Sequence, residues 1–306
     1  MTVPSLLVIG GTGFVGQHVV RRGVGLGWRV TSIGMNAHEI SRLVPGARYV
    51  VADLTKAASL KQLGDNRFDY VVNLGGYIDH AFFDAGGRSA IDAHFSGLLN
   101  LLEFLDRTTV KRFVQIGSSD EYGNAPAPQQ EVVRECPISP YSLAKVAATH
   151  FLQMLQRTEG FPAVTLRLFL TYGPKQDANR FLPQIIKGCL LNRDFPTSNG
   201  EQLRDFCYVE DTVSAIFLAL GSSMADGQIF NVGSGEPVTI RAVIEQVRIL
   251  VGAGRPKFGL IRYREGENMK LYADTRKIGD KLGWRPEINL EEGLKRTIDS
   301  IRLEYA

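Results

Sequence analysis

The stretch Leu6-Leu-Val-Ile-Gly-Gly-Thr-Gly-Phe-Val-Gly16 constrains this chain more than any other feature. An apolar run ends in Gly10, Gly13 and Gly16, spaced three apart, and Gln17 to Arg22 can carry a helix away from it. A strand that delivers glycines to a helix start lets bare backbone approach a diphosphate, whose charge the aligned N–H groups then hold. The spacing predicts a dinucleotide cofactor. A plain tight turn can carry the same three glycines, so the weight of this reading rests on residues further along.

With 306 residues, 44% of them hydrophobic, the chain is long enough for a full core in one large domain or a large and a small one. A net charge of +3 with scattered Lys and Arg argues against nucleic acid and supports only mild attraction for an anionic small molecule. Cys136, Cys189 and Cys207 are far apart and odd in number, and the five histidines lack ligand spacing, so neither disulfides nor a metal site is expected. Met1 to Gly16 has no basic leader or cleavage site, and no run of about 18 apolar residues occurs, so a reducing cytoplasm is the default and no membrane is expected.

β-rich runs alternate with helical patterns through the first half: Leu6–Ile9, Arg29–Ile33, Tyr49–Val51, Tyr70–Leu74, Arg112–Ile116 and Ala163–Phe169. Several are apolar on both faces, as in a parallel sheet covered by helices on each side, which predicts a doubly wound α/β fold. Helices fit Ile91–Asp106 and Tyr141–Thr158, the second with Ala147, Phe151 and Leu155 as a buried stripe. Beyond about residue 170 the texture changes. We read 1–170 as the dinucleotide-binding domain, with returning segments from about 205–235, and 171–306 as mainly a smaller mixed α/β lobe for substrate. Thr239 can cap a helix carrying Ile240, Val243, Ile244 and Val247, and Asn289 with Glu292 makes a capping pair before Leu294, Ile298 and Ile301.

Tyr141 and Lys145, four apart just after Pro140, fall on one face of one helix. An ammonium near a phenol favours the phenolate, and an oxidised nicotinamide would add to that, bringing Tyr141 towards working pH for proton exchange with a sugar hydroxyl or carbonyl. A surface Tyr/Lys pair has the same spacing. The glycine-rich turn upstream and the run Ile116-Gly-Ser-Ser-Asp-Glu-Tyr-Gly123 favour the catalytic reading.

Over nearly its whole length the chain resembles the extended short-chain dehydrogenase/reductases that act on nucleotide-activated sugars. The residues that carry the resemblance are Gly10–Gly16, Ala52-Asp-Leu54, Gly117–Gly123, Ser139–Lys145, Leu166–Phe169 with Tyr172-Gly-Pro174, Arg204-Asp-Phe206, and Ala273-Asp-Thr with Leu282–Pro286. It implies a Rossmann-type sheet and a C-terminal substrate lobe. It also implies Tyr141 as acid/base, Lys145 as the residue that orients the nicotinamide ribose and lowers the tyrosine pKa, and Ser118 as the partner of the reacting sugar oxygen. For the cofactor the implied contacts are Gly10, Thr12, Gly13, Phe14, Val15, Gly16, Asn36, Asp53, Leu54, Leu74, Gly75, Tyr141 and Lys145, with the Tyr172-Gly-Pro174 turn near the nicotinamide. For the sugar nucleotide they are Ser119, Asp120, Asn179, Arg180, Arg204 and Arg264. Guanidinium suits phosphate, which favours the binding role over that of an exposed or core-bridging arginine. Relatives often dimerise through two helices, here Ile91–Asp106 and Tyr141–Thr158, so a homodimer is expected.

Departures from the family pattern sharpen the reading. Enzymes that prefer NAD usually end the second strand with an acid, whereas here it ends Ile33-Gly34-Met35-Asn36; NADP(H) is therefore expected over NAD(H), with Asn36, His38 and Arg42 as loose candidates for a phosphate clamp. A 4,6-dehydratase needs further carboxylates beside the catalytic Ser, and the two positions concerned hold Ser119 and Asp120. Leu170 stands where many relatives carry Asn. The spelling resembles that of 4-ketoreductases of deoxysugar biosynthesis, such as those making GDP-rhamnose, and in the second lobe CDP-paratose-type synthases. The expected activity is therefore NADPH-dependent reduction of a nucleotide-linked 4-keto-6-deoxyhexose. 4-Epimerisation is second and dehydration through Asp120 or Glu121 third, while a non-catalytic nucleotide sensor is disfavoured by the intact Ser118, Tyr141 and Lys145.

Overall fold

The computed structural model describes residues 3–35, 40–263 and 266–305. In chain order the elements are β1 (Ser5–Ile9), α1 (Phe14–Gly25), β2 (Arg29–Gly34), β3 (Arg48–Val51), β4 (Tyr70–Asn73), α2 (Arg88–Ile91), α3 (Gly97–Phe104), β5 (Arg112–Ser118), α4 (Pro140–Glu159), β6 (Ala163–Leu168), β7 (Leu170–Tyr172) and α5 (Phe181–Leu190). They continue with β8 (Asp194–Pro196), β9 (Leu203–Tyr208), α6 (Val209–Gly221), β10 (Ile229–Val232), β11 (Pro237–Thr239), α7 (Ile240–Val251), β12 (Arg255–Lys257), β13 (Lys270–Leu271), α8 (Arg276–Leu282) and α9 (Leu290–Tyr305).

Seven parallel strands form the main sheet in the order β10-β6-β5-β4-β1-β2-β3. Side chains alternate across a strand, and β1 is apolar from Leu6 to Ile9, so it feeds two cores. Leu6 and Val8 join Val19 and Val20 of α1 and Ile216 and Ala219 of α6, while Leu7 and Ile9 join Leu98 and Leu101 of α3 and Ala148 and Leu152 of α4. The chain order reverses between β1 and β4. The carboxyl ends of those strands therefore open the crevice where doubly wound sheets bind ligands. Past β6 the chain leaves the sheet for β7, α5 and β9, and returns through α6 to add β10 as the edge strand beside β6. β9 also pairs with β7, β11 and β13, and β8 with β12.

Two helical expectations change. The helix expected over 91–106 starts earlier, at Arg88, ends at Phe104, and is interrupted by a π turn over Asp92–Ser96. In α4 the buried row is Ala144, Ala148, Leu152 and Leu155, whereas Ala147 and Phe151 are only half-buried. Tyr141 and Lys145 also face inwards, which turns the helix so that Phe151 lies at the edge of the core against Phe95, ring centroids 6.0 Å apart. The expected caps form: the Thr239 hydroxyl accepts from Ala242 N at 3.1 Å and Asn289 Oδ1 accepts from Glu292 N at 3.0 Å.

Candidate active site

The glycine turn sits at the strand-order reversal. Gly10 N donates to the Ile33 carbonyl and Gly13 N to the Gly10 carbonyl, drawing the turn tight against β2. Gly10 has φ +76°, and a Cβ there would stand 3.0 Å from the Leu74 carbonyl oxygen. A Cβ on Gly16 would lie 2.1 Å from the Gly10 oxygen, so α1 can begin this close to β1 only with glycine at that position. No side chain caps α1 at Gly13 and no acid stands in its first turn, leaving N–H donors and the positive helix end for an anion. Gly75 packs beside Leu54, whose carbonyl accepts from Asn100 Nδ2 at 2.8 Å. The predicted residues Gly10 to Gly16, Leu54, Leu74 and Gly75 are thus brought together in a cradle suited to a dinucleotide.

β2 ends at Gly34 without a carboxylate. The Ala52 amide donates to the Gly34 carbonyl, which places Asp53 beside this edge, but Asp53 turns to Thr55 and Lys56. Asn36 and His38 lie outside the described residues, as does Arg264. Arg42 donates to the Thr12 carbonyl at 3.3 Å and pairs with Asp177 at 2.5 Å, so it clasps the glycine turn to the loop before α5.

Across the crevice, Tyr141 and Lys145 come from the first turns of α4, whose start is fixed by Pro140 and by a Ser139/Ser142 capping box. Tyr141 is only 4% exposed. Lys145 Nζ donates to the Ile116 carbonyl at 2.8 Å and stands 5.9 Å from the Tyr141 ring centre. Burial pulls the Lys145 ammonium down to about 8, against the opposing carboxylates of Glu121 and Asp120. The Tyr141 phenol moves the opposite way from the expectation: burial and then the Asp120 charge push its pKa up, with only partial relief from Ser118 and Arg180. Desolvation is the largest influence on the phenol, and it favours the neutral form.

Ser118 ends β5 and caps the short turn that follows; its hydroxyl accepts from Asp120 N at 3.1 Å. Ser119 is buried, whereas Asp120 is partly exposed, 3.7 Å from His80 Nε2. Glu121 is fully buried and locked to Arg167 at 2.9 Å, so its expected role as an alternative base does not fit its position. Arg204 is partly buried, pairs with Glu267 and feels the charge of Asp120. Asn179 and Arg180 are exposed at the start of α5, and Arg180 acts on Tyr141 through its charge. The Tyr172-Gly-Pro174 turn is held by His18, whose Nε2 lies 3.0 Å from the Pro174 oxygen, and Leu170 is exposed at the start of β7.

Two histidines in the site went unread. The His94 ring lies edge-on to Tyr141 at 5.0 Å, bonds the Tyr77 carbonyl at 2.8 Å, and covers the Cα of Gly76 so closely that a Cβ there would overlap it. Burial holds His94 neutral, its pKa down to about 3. The His80 ring also lies edge-on to Tyr141, at 5.6 Å. The π turn that carries His94 leaves no mark on hydrophobic periodicity, and His80 sits in an irregular loop, so a single sequence carried no signal for either.

The model of the NAD dependent epimerase/dehydratase family matches residues 6–233. The chain belongs to this family. It is 25% identical to dTDP-glucose 4,6-dehydratase 1 of Escherichia coli (strain K12), covering 96% of this chain and 92% of that protein. Its fold is similar to that of the UDP-glucose 4-epimerase of Thermotoga maritima solved with UDP-glucose, with a TM-score of 0.89, 28% identity and coverage of 99% and 100% of the two chains. A Thermus thermophilus UDP-glucose 4-epimerase in complex with NAD has a TM-score of 0.85 and 26% identity, over 97% of this chain and 99% of that one. The protein is therefore an enzyme of the NAD-dependent epimerase/dehydratase family with a Rossmann-like sheet.

Proposed function

We propose that the protein is an NADPH-dependent reductase of the 4-keto group of a nucleotide-linked 4-keto-6-deoxyhexose. The observation that carries this reading is the shortage of carboxylates for dehydration: Ser119 is no acid and Glu121 is locked in a buried ion pair with Arg167, which leaves Asp120, shorter by one methylene than a glutamate, as the remaining candidate base. The cradle of Gly10, Thr12, Gly13, Phe14, Val15 and Gly16, with Leu54, Leu74 and Gly75, would hold the cofactor, and Lys145 its nicotinamide ribose. When bound, the cofactor supplies hydride. Ser118 and Tyr141 grip the C4 oxygen, and Tyr141 gives up its proton as the alcohol forms. Arg204, Arg180, Asn179 and Asp120 line the side from which the sugar nucleotide enters. Reduction needs no carboxylate beyond these groups, whereas loss of water from C6 does. Pairing of two copies through α3 and α4 belongs to the same reading.

A second reading, 4-epimerisation, is favoured by the likeness to the Thermotoga maritima enzyme and uses the same Ser118, Tyr141 and Lys145. Stoichiometry separates the two. Purified protein offered CDP-, GDP-, UDP- and dTDP-4-keto-6-deoxy sugars should consume one NADPH per product with at least one of them. Conversion of an intact UDP-hexose to its C4 epimer without cofactor consumption would replace reduction by epimerisation. Water loss from a hexose nucleotide would overturn both. The cofactor assignment has its own test: because β2 ends in Gly34, NADPH should bind more tightly than NADH, and Gly34→Asp should reverse the order by repelling the 2′-phosphate.

A further inference from the structure

Beneath Ser118 lies a buried ionic frame with no part in the proton or hydride inventory. Glu121 Oε1 accepts from the Ser118 backbone N at 2.9 Å, and Oε2 accepts from Thr149 Oγ1 at 3.0 Å and Arg167 Nε at 2.9 Å. Arg167, fully buried on β6, donates its Nη2 to Glu135 at 2.5 Å and lies 4.6 Å over the ring of Tyr122. Thr149 is one turn beyond Lys145 on the inward face of α4. The approach is tight enough to dictate sequence: a Cβ on Gly117 would stand 2.5 Å from Glu121 Oε1 and 3.2 Å from the Arg167 stem. The pattern Gly117-Ser-Ser-Asp-Glu121 therefore has a physical reason beyond Ser118.

We infer that Glu121, clamped by Arg167, is a positioning residue that anchors the Ser118 backbone to α4, so that Ser118, Tyr141 and Lys145 are fixed to one frame. Stability alone is a weak reason for such a pair, because taking two charges out of water costs about as much as their attraction returns, and apolar replacements are often neutral. A carboxylate that reaches back to the third residue before it and sideways to a second element gives fixed geometry, which an apolar pair cannot. The same charge acts on the site. Tyr141 is faced by Asp120, Glu121, Arg180, His80 and the neutral His94, and Lys145 by Glu121, Asp120 and His94; Glu121 favours the protonated form of both.

The test separates position from stability, and its turnover arm rests on the proposed reduction. Glu121→Leu with Arg167→Met should fold, bind NADPH within about twofold of the parent, exchange the Ser118 amide at least tenfold faster in hydrogen-exchange measurements, and lose about 10- to 100-fold in kcat with little change in KM. Glu121→Gln keeps an acceptor for Ser118 N but no charge, so it should keep the amide protected while the alkaline limit of turnover moves to lower pH. Unchanged amide protection in the double variant, or its full turnover, would overturn the role. Should the double variant fail to fold, Glu121→Ala alone must speed Ser118 exchange at least tenfold, or the inference fails. The amide readout needs no substrate, so a failed reductase assignment leaves this test standing.

Discussion

Tyr141 is the residue on which the proposed chemistry turns, and its surroundings favour its neutral form. Buried on the inner face of α4 and facing Asp120, the phenol keeps its proton, and the Lys145 ammonium donates a hydrogen bond to the Ile116 carbonyl. Tyr141→Phe should leave NADPH binding intact while lowering turnover by about 10²- to 10⁴-fold, the span expected for a positioned proton donor. Near-normal turnover in that variant would remove Tyr141 from the mechanism. The Tyr141/Lys145 pair was legible because its spacing is local: four residues on a helix share a face whatever the tertiary fold. The sign of the tyrosine shift was not legible, since it depends on burial and on Asp120, neither of which a helix register encodes. Glu121 was visible as a residue but not in its role, because its partner Arg167 lies 46 positions away on a neighbouring strand.

Among the elements, strands apolar on both faces announced themselves, and the parallel sheet followed from them. Short strands such as β7, β8 and β12 did not, having only three residues each and no period to read. What secures the amino-terminal edge of the sheet was also hidden, because it is a side chain between strands. Asp69, just before β4, accepts from Ser5 N and Oγ, both at 2.8 Å, and pairs with Lys111 at 2.9 Å, so one carboxylate ties the starts of β1, β4 and β5. Burial would raise its pKa, but Lys111 and Ser5 outweigh it and hold Asp69 down at about 2. A carboxyl depressed in the folded state stabilises above its unfolded pKa, and the contribution fades as pH falls through the folded value. Asp69→Asn should therefore cost about 1 kcal/mol at pH 7, after discounting for partial exposure. In chemical unfolding the gap between variant and parent should narrow between about pH 4 and pH 2. A gap that stays constant over that interval would mean that the charge of Asp69 plays no part.

At the scale of the whole molecule the cofactor cradle is a junction, built from the ends of β1, β2 and β4 and strapped to the loop before α5 by Arg42 and Asp177. A ligand that binds this junction in the folded chain and not in the unfolded one stabilises everything the junction joins. At a hundredfold excess over its dissociation constant NADPH should add about 2.7 kcal/mol, which for a chain of this size raises Tm by several degrees. Gly16→Ala tests whether the rise comes through the glycine turn. Its methyl would meet the Gly10 carbonyl at 2.1 Å, forcing α1 away from β1 and moving the N–H donors off the diphosphate. The variant should unfold at a lower temperature than the parent and, more tellingly, should gain less than about 1 °C from the same concentration of NADPH. That second quantity is a difference within one protein, so the variant's own loss of stability does not enter it, and an undiminished rise would show that the cofactor is held somewhere other than at Gly10 to Gly16.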